Sequence, residues 1–271
     1  MREQFNGQKG LVTLKDYEAK ELVKSIFGKN AEKYVTSTTH SKGDDLPLIL
    51  EWLNLKDDSV VLDVATGGGH VARTLAAKVS TVFATDLTKE MLSNTAAHLK
   101  AQFKNIHYIV ADAESMPFLD NTFDAVTCRI APHHFPNPHD FISEANRVLK
   151  PGGKFLLIDN IAPADSEKGA FMNQVEKLRD TSHVRCLSIS EWRTLFQAYG
   201  LDEVRSEQKK KKFLFSDWVA RTTENQQQRD EVEQLLLNAP EEFKEYFLIQ
   251  ISSGKIQSHQ IDEWMALCVK K

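Results

Sequence analysis

The chain is predicted to be an α/β protein with a doubly wound, mostly parallel sheet. Between residues 59 and 159, short apolar runs alternate with amphipathic stretches, and each run is continuously apolar. Such strands are buried by helices on both faces, and right-handed crossovers between them produce double winding. A glycine-rich turn at residues 65–69 follows the first run, where this fold passes from strand to helix.

The same alternation assigns most of the elements. Strands are predicted at residues 59–64, 81–86, 106–111, 125–128 and 154–159. Helices are predicted at residues 15–27, 46–55, 70–77, 89–101 and 141–149. Ligands of this fold bind outside the carboxyl ends of the strands. The polar residues to consider at those ends are Asp63, Asp86, Asp112 and Arg129.

Beyond residue 159 the pattern is looser. It predicts helices at residues 163–180 and 190–199, with Ser190 as the N-cap of the second. A charged strand at 201–215, a helical region at 216–247 and a last strand at 263–270 follow. The four lysines at residues 209–212 are typical of a solvated edge strand, and a contact with phosphate or a lipid surface is the alternative.

The composition limits the class of protein. The 271 residues, 41% of them hydrophobic, can bury the core of one large domain. A formal net charge of -4 argues against general nucleic-acid binding. Cys128, Cys186 and Cys268 are odd in number and far apart, so we expect no disulfide framework and no metal site.

The location is expected to be cytoplasmic. The first residues lack a signal-peptide pattern. No stretch reaches the roughly 20 apolar residues of a membrane span, so we expect no stable membrane insertion. The sequence leaves the oligomeric state open.

The glycine turn predicts a nucleoside site. Gly67 and Gly69 let a ligand approach the backbone, and the helix beginning near His70 offers unpaired N–H groups with partial positive charge. Asp86 ends the next strand, where a carboxylate can accept hydrogen bonds from both ribose hydroxyls. Because Gly67-x-Gly69-x-x-Ala72 also satisfies the dinucleotide fingerprint, NAD is a natural rival.

Two further acids favour S-adenosylmethionine over NAD. Asp63 lies on the first strand, where a carboxylate could receive the ammonium group of an amino-acid-bearing cofactor or orient the turn. NAD has no such group. Asp112 ends the third strand and could accept a hydrogen bond from an adenine amino group. An NAD-dependent oxidoreductase stays a weaker alternative, since no Tyr-x-x-x-Lys or similar hydride-transfer set accompanies the turn.

Five ordered segments carry a family resemblance. They are Val-Leu-Asp-Val-Ala-Thr-Gly-Gly-Gly at residues 61–69, Asp86, Asp112-Ala113, Phe123-Asp124 and Leu-Lys-Pro-Gly-Gly at residues 149–153. Together they resemble the class I S-adenosylmethionine-dependent methyltransferases, and among these the UbiE-type (methyltransferase type 11 domain) branch. Residues 128–135 and 178–185 are similar to segments of small bacterial relatives in that branch. The shared core runs from about residue 34 to residue 159.

The resemblance implies a seven-stranded, Rossmann-like sheet whose last strand is antiparallel. Residues 201–212 and 263–270 would supply the two late strands, with residues 216–247 inserted between them. The single domain would comprise an N-terminal helical cap segment (1–45), a cofactor-binding core (46–160) and a region that completes the sheet and adds substrate-cap helices (161–271).

The resemblance also implies the residues that bind the cofactor. Position by position these are Tyr34, Asp63, Thr66, Gly67, Gly69, Asp86, Leu87, Asp112, Ala113 and Arg129. Tyr34 would cover the methionine end, and Arg129 would contribute its backbone. Ala65 departs from the family pattern, because many members have glycine there.

The implied enzyme methylates a small molecule, with quinone-, phenol- or lipid-like acceptors as candidates. If the accepting atom is an oxygen or an acidic carbon, a base helps, and His134, followed by His133, comes directly after the fourth strand. These histidines could instead only shape a polar loop. His183 and Arg185 could contact the acceptor. A non-catalytic protein that kept the fold and the cofactor pocket is the alternative function.

Overall fold

The computed structural model describes residues 13–35 and 45–271, with the side chains of residues 33–35 outside the description. The strands are β1 (Val60–Val64), β2 (Thr81–Asp86), β3 (Ile106–Val110), β4 (Phe123–Arg129), β5 (Leu149–Ile161), β6 (Leu201–Leu214), β7 (Gln250–Ser252) and β8 (Lys255–Lys270). The helices are α1 (Leu14–Val35), α2 (Asp45–Leu53), α3 (His70–Ala76), α4 (Lys89–Leu99), α5 (Pro138–Val148), α6 (Ser166–Arg179), α7 (Ile189–Ala198), α8 (Phe215–Val219), α9 (Gln226–Leu237) and α10 (Glu241–Tyr246).

The sheet has the strand order β3-β2-β1-β4-β5-β8-β6. Strands β1 to β5 pair in parallel, and β8 lies antiparallel between β5 and β6. The doubly wound sheet with an antiparallel last strand is therefore confirmed. The short strand β7 pairs with β8 and adds an eighth strand.

Buried apolar side chains cover both faces of the sheet, as continuously apolar strands require. Phe141 and Trp192 pack on one face with Phe123. Trp52 and Leu75 pack on the other face. A separate apolar cluster lies in the C-terminal cap, where α8 and α9 pack on β8 and α6 packs on α9. No helix in the described ranges is long and apolar enough to cross a membrane.

The C-terminal third differs in detail from the prediction. The N-cap of α7 is Ser188, not Ser190, because Ser188 and Glu191 form a reciprocal capping box. Ser190 lies inside the first turn of the helix. The predicted helical region 216–247 is divided into α8, α9 and α10, and the last strand begins at Lys255 rather than at residue 263.

The run of four lysines lies on β6, at the edge of the sheet, as the edge-strand interpretation predicts. Two buried acids of the neighbouring strand β8 bind three of these lysines. Lys210 Nζ lies 3.0 Å from Asp262 Oδ2, and both Lys209 and Lys211 contact Glu263. The lysines therefore compensate carboxylates that would otherwise be buried and unpaired.

We predict that Gly69→Ala destabilises the fold by roughly 2–4 kcal/mol, through left-handed strain plus overpacking. Gly69 has φ +74°, and an added Cβ would lie 2.4 Å from Thr95 Cγ2. The free energy of unfolding in urea measures the loss. Gly152→Ala is the control, because Gly152 has nearly the same φ, +75°, but no atom within 4 Å of an added Cβ.

The control variant should lose only about 1 kcal/mol. Thr95→Ser removes the clashing methyl group and keeps the hydroxyl that donates to the Gly67 carbonyl at 2.6 Å. It should therefore recover part of the stability lost in Gly69→Ala. Equal losses in Gly69→Ala and Gly152→Ala would contradict the steric explanation.

Candidate functional site

A cleft with an empty volume of about 1070 Å³ lies at the carboxyl ends of β1 to β4, and we call it the first cleft. Of the predicted cofactor residues, its lining includes Asp63, Thr66, Gly67, Asp86, Leu87, Asp112, Ala113 and Arg129. Lys20, Val23 and Phe27 of α1 form another part of its wall. The structure thus brings together residues from four separate strand ends under the N-terminal helix.

The turn between β1 and α3 is left-handed at three positions. The φ angles are +52° at Ala65, +53° at Gly67 and +74° at Gly69. Alanine bears a strain of roughly 1 kcal/mol in this region, which gives a physical reason for the glycine that many family members have at this position. Two hydrogen bonds to β2 hold the turn: Thr66 N–H donates to the Thr85 carbonyl at 2.8 Å, and Gly67 N–H donates to Asp86 Oδ2 at 3.0 Å.

Asp63 is a buried carboxylate beneath the first cleft, with 1% of its surface exposed. Its Oδ2 accepts a hydrogen bond from Thr66 Oγ1 at 2.6 Å, and its Oδ1 accepts one from Thr127 Oγ1 at 2.8 Å. Burial raises the pKa of Asp63 to about 6, although both hydroxyls favour the charged form. The site therefore holds an acid that would gain from a nearby cation.

Asp86 occupies the end of β2. One of its oxygens accepts from Gly67 N–H and the other from Thr88 N–H, at 3.0 and 2.8 Å. Burial raises the pKa of Asp86 above its usual range, against these two backbone donors. Each oxygen keeps a second lone pair that could accept a hydroxyl group. Leu87 lines the cleft directly beside it.

The Asp112 side of the cleft is joined to α1 by an ion pair. Lys20 Nζ lies 2.7 Å from Asp112 Oδ2 and 2.5 Å from Glu114 Oε2. Burial lowers the pKa of Lys20, but hydrogen bonds to the two acids outweigh it and the net change is upward. Ala113 also lines the cleft. The carboxylate of Asp112 is thus already bound by a cation.

Arg129 ends β4, and its guanidinium group is paired with a carboxylate of α2. Its Nε and Nη2 donate to the two oxygens of Asp45 at 2.5 and 2.9 Å, and both side chains are buried. This bidentate pair attaches the start of α2 to the end of β4. The geometry is compatible with the prediction that Arg129 contributes its backbone to the cleft.

Two predicted cofactor residues are not placed at the first cleft. The lining does not include Gly69, which instead packs on Thr95 of α4. Its lack of a side chain is thus explained by helix packing. Tyr34 lies on α1, but its side chain is outside the described part of the chain.

His133 belongs to a buried histidine–aspartate pair. It lies in the 3-10 turn Pro132–His134 after β4, and its Nδ1 is 2.6 Å from Asp159 Oδ1 on β5. Burial lowers the pKa of His133, but the charge and hydrogen bond of Asp159 outweigh it and the pKa is raised. With the Nδ1 proton donated to Asp159, Nε2 is the nitrogen that can accept a proton.

His134 has a different environment. Its Nδ1 is 3.1 Å from the Ser182 carbonyl, and its ring contacts Phe27 edge-on at 5.0 Å between centroids. Burial, with the neighbouring charge of His133, lowers the pKa of His134 to about 4. It is therefore neutral near pH 7 and a weaker base than His133.

A second cleft of about 620 Å³ adjoins the first. Phe27, Ile130 and His134 line both clefts. The other residues lining the second cleft are His133, Asn160, Arg179, Asp180, Lys211, Phe213, Trp218, Arg221 and Thr222. Ile130 has φ +52°, a strained value for a β-branched residue, at the boundary of the two clefts.

The remaining candidate residues lie elsewhere. His183 Nε2 is 2.9 Å from Asn173 Oδ1 on α6, where burial lowers the pKa of His183 to about 2. Arg185 forms an exposed ion pair with Glu191. Neither residue lines the two clefts. Both therefore have structural partners in place of the acceptor contacts we considered.

The first cleft fits S-adenosylmethionine. Asp86 offers carboxylate oxygens of the kind that bind ribose hydroxyls, and Asp63 offers a desolvated acid for a cationic group. Leu87, Met91 and Ala111 supply apolar surface between the acids. The residues present therefore match a nucleoside that carries a cationic amino-acid tail.

Several site residues could not be assigned from sequence. Lys20, Val23 and Phe27 have the i, i+3, i+7 spacing of one helix face, which is the signal that could have placed them over the cleft. Asp159 was recognised as the end of a strand but not as the partner of His133. The cap residues Arg179, Trp218 and Arg221 carry no local signal, because only the folded cap brings them to the second cleft.

Comparisons with known proteins agree with this geometry. A family model described as a methyltransferase domain matches residues 62–157. The uncharacterized methyltransferase YcgJ of Bacillus subtilis is 33% identical over 229 residues, which cover 84% of this chain and 90% of YcgJ. The UbiE protein of Rickettsia typhi, a ubiquinone/menaquinone biosynthesis C-methyltransferase, is 36% identical over 161 residues, which cover 53% of this chain and 63% of UbiE.

A solved structure extends the similarity to the whole fold. A candidate methyltransferase from Bacillus halodurans is 39% identical, with a TM-score of 0.82 over 84% of this chain and 99% of that one. Because 84% of this chain is more than the core at residues 46–160, the match also includes residues outside the core.

We predict that Asp63→Asn changes the pH dependence of stability. The folded pKa of Asp63 is raised, so its ionisation costs stability as pH rises from about 4 to about 6. Asparagine does not ionise. The unfolding free energy of the variant minus that of the wild type should therefore become more favourable by up to about 3 kcal/mol between about pH 4 and about pH 7.

Urea unfolding at both pH values measures this difference, and lost hydrogen bonds cancel in the comparison. Asp124→Asn is the control, because the pKa shift of Asp124 has the opposite sign. Burial raises the pKa of Asp124, but Lys150 and the Val60 N–H outweigh it and the pKa is lowered. The contribution of Asp124 to stability is lost only as pH falls below about 4, so for this variant the difference should stay nearly constant between about pH 4 and about pH 7 and should favour the variant only at lower pH. A difference for Asp63→Asn that does not change with pH would contradict the prediction.

Proposed function

Because the chain belongs to the S-adenosylmethionine-dependent class I methyltransferases, we propose that it methylates a small molecule held in the second cleft. When bound, S-adenosylmethionine supplies a methyl group already activated by a sulfonium. The protein then mainly has to hold the two reactants in line and remove a proton where the acceptor requires it.

The observation that carries this proposal is the shared wall of the two clefts. Phe27, Ile130 and His134 border both spaces, so a ligand in one lies next to a ligand in the other. The first cleft has the acids that suit the methyl donor, which leaves the second for the acceptor. The strained backbone of Ile130 at this boundary is of the kind that is retained at functional sites.

In the first cleft, we assign two acids to specific parts of the cofactor. Asp86 would accept hydrogen bonds from both ribose hydroxyls, through the lone pairs not used by Gly67 and Thr88. Asp63 would face the ammonium group, directly or through water. Leu87 and Ala113 would flank the adenine.

The histidine–aspartate pair supports a base role for His133. Asp159 orients the ring, exposes Nε2 and would stabilise the imidazolium that forms on proton uptake. From the sequence alone, His134 ranks before His133 as the candidate base. The lowered pKa of His134 and its position between the two clefts instead suit a neutral group that positions the reactants. We therefore place His133 first as the base for an oxygen or acidic-carbon acceptor.

The relatives suggest where to look for the acceptor. UbiE is named for C-methylation in quinone biosynthesis, and this chain spans less than two thirds of it. Quinols and phenols, whose accepting atoms become more nucleophilic on deprotonation, suit a buried base. Labelled methyl transfer to quinones, phenols, phospholipids and cell extract would identify the substrate.

We predict that the protein binds S-adenosylmethionine and that Asp86→Ala weakens binding roughly 10- to 100-fold, because charge-assisted hydrogen bonds to the ribose are lost. Isothermal titration calorimetry measures the affinity. Asp86→Asn keeps one carbonyl oxygen and should show an intermediate loss. Asp120→Ala removes an exposed acid bound to Arg147 and serves as the control.

Thermal melting of each variant separates lost binding from lost folding. An unchanged affinity in a folded Asp86→Ala protein would refute the ribose assignment. Heat from NAD without heat from S-adenosylmethionine would refute the proposed function.

We predict that His133→Asn lowers kcat by about 10²- to 10⁴-fold, as expected for removal of a general base. With the acceptor found in the screen, kcat/KM of the wild type should rise with pH through the pKa of His133. Asp159→Asn removes the charge that raises this pKa, so the acidic limb of the profile should move to lower pH while kcat falls.

His134→Asn is the matched control for His133→Asn, because it removes the neighbouring imidazole ring, which is also buried. It should alter KM more than the pH profile. A larger kcat loss in His134→Asn than in His133→Asn would restore the ranking that the sequence favoured and refute the base assignment.

A further inference from the structure

The charged residues of the second cleft come from separate elements of the cap. Arg179 ends α6, Lys211 lies on β6 and Arg221 follows α8. Asp180 is the single carboxylate among the described lining residues, against these three cations. The surface of the cleft therefore presents more cationic than anionic groups, and cationic groups can donate charge-assisted hydrogen bonds to the oxygens of an anion.

Two of the cations flank one aromatic ring. Lys211 Nζ and Arg221 Cζ each lie 5.9 Å from the centre of the Phe213 ring. The Arg179 guanidinium lies 4.7 Å from the centre of the Trp218 ring. The cleft therefore combines flat apolar surfaces with cations at their faces.

Buried acids outside the lining hold two of these cations in place. Glu176 Oε2 binds Arg179 Nη2 at 2.7 Å, and Glu263 binds Lys211. Neither acid lines the second cleft. The cationic groups are thus oriented before any ligand arrives, which reduces the entropy lost on binding.

The acidic group in the lining is occupied. Asp180 Oδ1 accepts from Ser182 N–H at 2.9 Å and from Ser182 Oγ at 2.5 Å. In contrast, Asn160 Oδ1 is buried and has no hydrogen-bond partner among the described residues. Asn160 and His133 both line the second cleft, so an acceptor for a ligand hydroxyl borders the same space as the proposed base.

From these features we infer that the methyl acceptor is an organic anion, a hydroxylated aromatic ring that carries a carboxylate or phosphate group. The inference rests on the proposal that the second cleft holds the acceptor. The ring would lie beside the parts of Phe213 and Trp218 that line the cleft, with its anionic group at Lys211 and Arg221. Its hydroxyl would lie toward Asn160 and His133. Both anionic groups present the same oxygens to the cations, and the test separates them.

The test compares three probes on the full-length protein saturated with S-adenosylhomocysteine. The probes are para-hydroxybenzoate, its neutral counterpart para-hydroxybenzamide, and para-hydroxyphenyl phosphate. Calorimetry should show at least one anion binding roughly tenfold or more tightly than the amide, as charge-assisted hydrogen bonds predict. The preference should shrink when salt is raised.

Arg221→Gln should reduce the anion preference roughly tenfold, and Arg221→Lys should keep part of it. Lys211→Gln is a second, independent variant should Arg221→Gln fail to fold. Arg193→Gln is the matched control, because Arg193 is exposed, binds Glu203 and does not line the cleft. Its anion preference should equal that of the wild type.

The outcomes distinguish the two proposals. Tighter binding of para-hydroxyphenyl phosphate than of the benzoate supports the inference and selects the phosphate. Amide binding as tight as both anions, no binding of either anion at millimolar concentration, or an unchanged preference in both folded variants overturns it. Failure to bind S-adenosylhomocysteine would overturn the proposed function itself.

Discussion

The structure depends on the left-handed turn between β1 and α3. Three of its residues, Ala65, Gly67 and Gly69, have positive φ. Asp86 holds this turn through Gly67 N–H, and Thr95 holds it from α4 through the Gly67 carbonyl. Because Asp86 also lines the first cleft, one carboxylate both fixes the turn and borders the proposed cofactor site. A substitution of Asp86 would therefore affect both the turn and the first cleft.

The two clefts have different structural origins. The first depends on the geometry of the parallel sheet, and the second depends on the cap. The first cleft follows from where parallel strands end. The second exists only because α6, β6 and α8 fold over the end of β4, where His133 meets Asp159 on β5. Opposite pKa shifts separate two adjacent histidines: Asp159 raises the pKa of His133 against the effect of burial, and burial lowers that of His134. The roles that we propose for His133 and His134 differ for that reason.

Much of the core was predictable because its signals are local. The strand 81–86 was predicted with the bounds observed, and the antiparallel last strand followed from the family resemblance. Local reasoning was wrong at Ser190, since the competing Ser188 has Glu191 three residues later and completes a capping box. The connection of Gly69 with the ligand stays a prediction, and the close approach of Thr95 is a second reason for glycine at this position. Gly69 and Thr95 are 26 positions apart, so their contact leaves no periodic pattern in the sequence.

The sequence by itself determined the fold class, the glycine turn and the acids at three strand ends, because continuous apolar runs and strand-end positions are properties of neighbouring residues. Only the tertiary structure decided that Lys20 binds Asp112, that Asp45 takes the Arg129 side chain and that Asp159 raises the pKa of His133. Each of these is a contact between distant segments in a buried setting. Desolvation and charge pairing act there through space, and sequence distance has no bearing on their strength.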